Sequence, residues 1–206
     1  MKKMDPKNVA EILLKIKAVS INDAKPFTFA SGIKSPIYCD NRLLMGYPKE
    51  RKLIRDAFES AISGLKYDVI AGTATAGIPH AAWLADKLNK PMVYVRGERK
   101  EHGKQSLIEG KLEKGQRVVL IEDLISTGGS SVQAVLALKE AGADVIACVA
   151  IFTYEMQESK KKFSEVGCKL LTLTTFSVLV DVAVKKDYIK EKDLVIGWNK
   201  DPRGWA

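Results

Sequence analysis

The chain has 206 residues, 46% of them hydrophobic and 28% charged, with a formal charge of +8. This fits one ordinary globular domain large enough for a real core. No apolar stretch approaches the ~18 residues of a membrane helix, and no apolar h-region follows the N-terminus, so neither secretion nor a membrane span is expected. The three cysteines, Cys39, Cys148 and Cys168, are far apart and form no C-x-x-C pair. They suit buried thiols in a reducing cytoplasm. A charge of +8 permits a nucleic-acid surface, but the lysines are scattered and the one cluster, at 160–162, sits in a helical pattern. A small anionic ligand matches the charge better, and no nucleic-acid partner is expected.

In chain order, Asp5 and Pro6 open a helix carrying Val9, Ile12, Leu13, Ile16 and Val19. FTFASGIKSPIYCD follows, two β-like halves around Ser31 and Gly32, and then a second helix from Pro48 toward Gly64. Residues 1–64 therefore read as helices and a small hood beside a sheet. From residue 65 to 206 the pattern alternates, with DVIAG, PMVYV, RVVLIE, DVIACVAIF and KLLTLTTF as short β-rich runs. Helical spacing over 77–89, 129–141 and 155–166 separates them, with Gly142 and Gly167 as stops. This predicts an α/β fold with a mostly parallel sheet covered by helices on both faces. Segment 97–115, GERKEHGKQSLIEGKLEKG, is polar and long for a connection, which predicts a mobile loop over 97–110.

The chemistry concentrates in EDLISTGGSS, residues 122–131. Glu122 and Asp123 end an apolar strand, where ligands bind in open parallel sheets. Ser126, Thr127, Gly128, Gly129, Ser130 and Ser131 then lead into a helix whose free N–H groups and positive dipole end suit a phosphate, the hydroxyls adding donors. No G-x-x-x-x-G-K-[ST] occurs, and no G-x-G-x-x-G follows a strand, which argues against a nucleoside triphosphatase or a dinucleotide enzyme. A phosphorylated sugar, its vicinal hydroxyls donating to the carboxylates with Mg²⁺ nearby, fits what remains. An acidic strand end followed by an ordinary helix cap is the plainer alternative. GTATAGI after DVI is a second small-residue loop at a strand's carboxyl end.

EDLISTGGSS resembles the phosphoribosyl pyrophosphate (PRPP) signature of type I phosphoribosyltransferases. FTFASGIKSPIYCDNR and YVRGERKEHG are similar to the hood and mobile catalytic loop of that family's orotate-using members. The resemblance implies the type I phosphoribosyltransferase fold, a homodimer, Mg²⁺ as cofactor, and transfer of phosphoribosyl from PRPP to orotate. It implies that Glu122 and Asp123 engage the ribose hydroxyls, that the loop through Leu124, Ile125, Ser126, Thr127, Gly128, Gly129 and Ser130 binds PRPP, and that Asp123 serves catalysis. Arg96, Lys100 and His102 match the loop's PRPP-binding residues, Lys100 and His102 also its catalytic ones, with Lys100 the principal one and acting on the neighbouring subunit. Ser126 and the segment 35–40, Ile37 and Tyr38 within it, are implied to contact orotate. The chain departs from the pattern at Ala30, Gly97, Thr75 and Ala76, where many members carry a lysine, a second lysine and a Tyr-Lys pair. It departs again at Tyr154 and Glu155, near which many place an arginine against the orotate carboxylate. His80 falls inside a helical pattern and reads as a packing residue.

Overall fold

The computed structural model describes residues 4–22, 26–28, 34–97, 107–189 and 192–200, the last stretch with side chains for 195–199. The first helix, α1 (Pro6–Lys15), starts where Asp5 accepts the Lys7 N–H at 2.9 Å and Pro6 fills a first-turn position that needs no donor. Two short hairpin-like pairs follow. Strand β1 (Val19–Ile21) runs antiparallel to β4 (Ile37–Cys39), and β2 (Phe27–Thr28) to β3 (Lys34–Ser35). These are the described part of the expected hood; Ala30 and the Ser31-Gly32 turn lie outside the described residues. A 3-10 turn, Asn41–Gly46, then leads into α2 (Pro48–Ile62).

The main sheet comprises β5 (Val69–Thr73), β6 (Met92–Val95), β7 (Ile108–Glu109), β8 (Arg117–Ile125), β9 (Asp144–Thr153) and β10 (Leu170–Thr175), in the order β10-β9-β8-β5-β6-β7. Every pairing is parallel except β6 with β7. Segment 97–110 was expected to be one continuous loop, yet Ile108 and Glu109 form that antiparallel edge. Leu107 and Ile108 pack on the core here, and the Arg96 N–H donates to the Leu107 carbonyl at 2.8 Å.

The connecting helices are α3 (Gly77–Leu88), α4 (Gly129–Glu140), α5 (Gln157–Glu165), α6 (Phe176–Lys185) and α7 (Lys192–Lys200). Alternation along β8 divides them into layers: Val119 and Ile121 pack with α1, α2, α3, α6 and α7, while Val118 and Leu120 pack with α4 and α5. Both faces are thus covered, as the uninterrupted apolar runs of the strands require. All three cysteines are buried free thiols. His80 is 3% exposed and its ring meets the Trp83 ring edge-on at 5.4 Å. Burial pulls it down to about 4, with Arg51 adding to the effect, so it packs as a neutral residue. Among the described residues no helix is long and apolar enough to cross a membrane.

Candidate active site

The sheet order places the site. From β5 the chain crosses through α3 to β6 on one side, and from β8 it crosses through α4 to β9 on the other, the two helices lying on opposite faces. Neighbouring strands β5 and β8 are therefore the point where the winding reverses, and a crevice opens beyond their carboxyl ends. A cavity of about 320 Å³ lies there, lined by 74–76 after β5, by 122–124 of β8, and by 126–131 leading into α4. A larger hollow of about 480 Å³ near α1, α2 and α6 has its charges paired internally, Lys15 with Glu50 and Lys186 with Glu11.

Two glycines shape the crevice. A Cβ on Gly77 would sit 2.5 Å from the Ile121 carbonyl oxygen, so only glycine lets α3 start against β8 and bring 74–76 beside the carboxylates. Gly128, at φ +78°, turns the chain into α4 in a conformation that disfavours other residues. Neither α3 nor α4 has a side-chain cap on its N-terminus, whereas Asp5 and Thr175 cap α1 and α6. First-turn N–H groups at the cavity thus remain available to an anion.

The two carboxylates differ. Glu122 is 5% exposed, accepts the Asp123 N–H at 3.0 Å on Oε1, and accepts the Ser131 hydroxyl at 2.8 Å on Oε2. Burial first, then the charge of Asp123, pushes its carboxyl up to about 8. Asp123 is half-buried, also raised by burial, and its main-chain carbonyl accepts the buried Asn41 amide at 2.7 Å. Glu122 is thus held in the wall while the Asp123 side chain is the more open acceptor.

A raised carboxyl contributes stability that is fully present below its unfolded pKa, near 4.5, and lost as pH rises through about 8. Glu122→Gln should remove that slope. In thermal melts without ligand, the variant's advantage over wild type is expected to grow steadily from pH 5 to pH 8; parallel curves would show that Glu122 ionises normally.

Most of the expected binding residues meet at this cavity: Glu122, Asp123, Leu124, Ser126, Thr127, Gly128, Gly129 and Ser130 all line it. Ile125 does not; strand alternation turns it into the core at 0% exposure, and its carbonyl accepts the Tyr154 N–H at 3.0 Å. Arg96 directly follows β6, lies 3.7 Å from Glu109, and is not among the residues that line the cavity. Ile37 is fully buried with its N–H and carbonyl both bonded to the Ser35 hydroxyl, while Tyr38 is 40% exposed. Lys100 and His102 lie outside the described residues. Tyr154 is 2% exposed, and Glu155 accepts the Ser177 N–H at 2.8 Å at the start of α6. Sequence alone assigns Asn41 no role, and assigns Ser131 only a place among the hydroxyl donors that lead into the helix, not its bond to Glu122. Ser131 falls in the first turn after the glycines, a position from which a hydroxyl reaches back toward the strand end. Nothing in the spacing connects Asn41 to Asp123, 82 residues away.

The family model for a phosphoribosyl transferase domain matches residues 47–187, a span that takes in both cavity loops and so sets the class. Orotate phosphoribosyltransferase of Listeria monocytogenes serotype 4b (strain F2365) is 55% identical over 204 residues, covering 97% of this chain and 98% of that protein. Among solved structures, orotate phosphoribosyltransferase from Aeropyrum pernix superposes with a TM-score of 0.75 at 30% identity, over 88% of this chain and 99% of that one. Leishmania donovani UMP synthase gives 0.80 at 28% identity, over 94% of this chain and 42% of that longer one. The chain belongs to the orotate phosphoribosyltransferase family.

Proposed function

We propose that the chain transfers the phosphoribosyl group of PRPP to N1 of orotate, giving orotidine 5′-monophosphate and pyrophosphate in de novo pyrimidine synthesis. One observation carries the reading: two small-residue loops and a carboxylate pair converge on one crevice at the β5/β8 reversal. The uncapped start of α4 suits the 5′-phosphate, Asp123 suits the ribose hydroxyls, and the 74–76 loop suits pyrophosphate. The C1′–O bond to pyrophosphate breaks, the C1′–N1 bond to orotate forms, and the N1 proton leaves. Charge builds up on the departing pyrophosphate and positive charge on the ribose ring. Positioning and electrostatic stabilisation then supply the catalysis, with no covalent nucleophile required.

Mg²⁺ enters this reading with the substrate, as the pyrophosphate chelate. Among the described residues no three His, Cys, Asp or Glu side chains cluster as a metal site, and the cavity offers only two adjacent carboxylates. Such an ion takes most of its oxygens from phosphates and water. The direct test incubates the protein with Mg²⁺, PRPP and, in parallel, orotate, uracil, hypoxanthine or adenine. Pyrophosphate release with orotate alone supports the reading, and release with a purine alone sinks it.

Three further parts of the reading rest on the family likeness. The chain acts as one catalytic domain in the cytoplasm, as a homodimer, and Lys100, with His102 and Arg96, serves the PRPP site of the neighbouring subunit from the 97–110 loop. Lys100→Ala and Asp123→Asn homodimers should each be nearly inactive. Refolded together in equal amounts, they are expected to recover about a quarter of wild-type activity, because half the dimers are mixed and each has one intact site of two. No recovery in mixtures shown to contain mixed dimers would place the loop within its own subunit.

A further inference from the structure

The segment between the hood and the 3-10 turn is fastened at both ends to distant parts of the chain. At its far end the Asn41 amide holds the Asp123 carbonyl at 2.7 Å. At its near end the indole N–H of Trp198, on α7, donates to the Lys34 carbonyl at 2.8 Å. Trp198 is itself fully buried. Its ring stands edge-on to Tyr154 at 5.7 Å and tilted to Phe176 at 6.0 Å. The next residue, Asn199, donates to the Tyr154 carbonyl at 2.6 Å, and the Tyr154 N–H donates to Ile125 at the end of β8. A line of contacts therefore runs from β3 through α7 to the corner after β9 and on to the strand that carries Glu122 and Asp123.

We propose that α7 is a latch that sets the base subsite, with Trp198 and Asn199 as positioning residues for the segment 35–40. This rests on the reading above that the segment meets orotate. A nine-residue helix has little stability of its own, so α7 is held by what it docks on, chiefly through Val195 and Trp198. Docking α7 and fixing β3 are then one event, and a ligand seated on 35–40 favours the docked helix by the same free energy with which the docked helix favours the ligand. The ribose and phosphate loops have further anchors of their own in β5, β8 and the starts of α3 and α4, whereas Lys34 is held by Trp198 directly. The latch thus acts mainly on the base subsite.

Trp198→Phe tests this, since it keeps an aromatic ring against Tyr154 and Phe176 while removing the N–H donor together with part of the buried ring. With full-length protein, KM for orotate at saturating PRPP is expected to rise about 3- to 10-fold, the effect of one neutral hydrogen bond. KM for PRPP at saturating orotate stays within about two-fold, a split that general loss of packing does not produce. Asn199→Ala should give the same split and serves if the tryptophan variant does not fold. An unchanged KM for orotate in a folded variant, or parallel rises for both substrates, overturns the latch. A wild-type protein that turns over PRPP without accepting orotate overturns instead the reading on which it rests.

Discussion

Asp123→Asn is expected to lower kcat/KM for PRPP by about 10- to 150-fold, the ~1.5 to 3 kcal/mol of a hydrogen bond to a charged group. Its thermal midpoint without ligand should stay level with wild type or exceed it. Burial holds the Asp123 carboxyl above its ordinary range, outweighing the hydrogen bond with Glu122 that pulls it down, so the folded protein gains little from its charge. A neutral amide of nearly the same shape relieves that cost, keeps the main-chain carbonyl that Asn41 holds, and loses only what a ribose hydroxyl needs. Steady-state kinetics at limiting PRPP with parallel melts decide the matter. Wild-type kinetics would remove Asp123 from the ribose site, whereas a large drop in melting temperature would make it a structural residue.

Gly77→Ala should damage both stability and turnover. The added methyl would meet the Ile121 carbonyl at 2.5 Å, and neither backbone can yield without moving the start of α3 or the end of β8. Overpacking against backbone costs about 1 to 3 kcal/mol or more. At ~2 to 4 °C per kcal/mol for a chain of this size, the midpoint falls by roughly 2 to 12 °C. Activity should fall further than stability predicts, because the displaced element carries the 74–76 loop. Gly46→Ala is the control, since nothing lies within 4 Å of its added methyl. A Gly77→Ala protein that melts and turns over like wild type would show that the crevice tolerates a wider gap between α3 and β8.

How much of this could be read beforehand follows from how local each cause is. The parallel sheet was legible because β5, β8 and β9 are uninterrupted apolar runs. The helix starts and stops were legible because Asp5, Pro6, Pro48, Gly142 and Gly167 act within a turn of where they stand. The cavity's main wall was legible for the same reason, being nearly one continuous peptide, 122–131. What escaped is what long-range contact creates. The strand at Ile108 and Glu109 exists because β6 offers an open edge, and Ile125 leaves the phosphate loop because the pleat turns it inward. Ser131 and Asn41 acquire these bonds only when a strand end and a turn from distant parts of the chain are brought to the same carboxylate pair. Helix α7 shows the same limit, since the Trp198 indole N–H reaches a carbonyl 164 residues away, at Lys34.

The bare starts of α3 and α4 carry a consequence for anyone seeking a hardier version of this protein. Elsewhere a serine, threonine or aspartate before the first turn closes a helix and adds about 1 kcal/mol. At position 128 the left-handed backbone and the nearby Ser159 side chain, 3.3 Å from any added Cβ, already resist such a residue. A substitution that overcame both would place its own oxygen where the proposed function seats a substrate phosphate. On that reading the starts of α3 and α4, which like those of α2 and α5 lack a side-chain cap, are closed by the substrate. Gains in robustness have to come from other helices, and those made at these two would be paid in affinity.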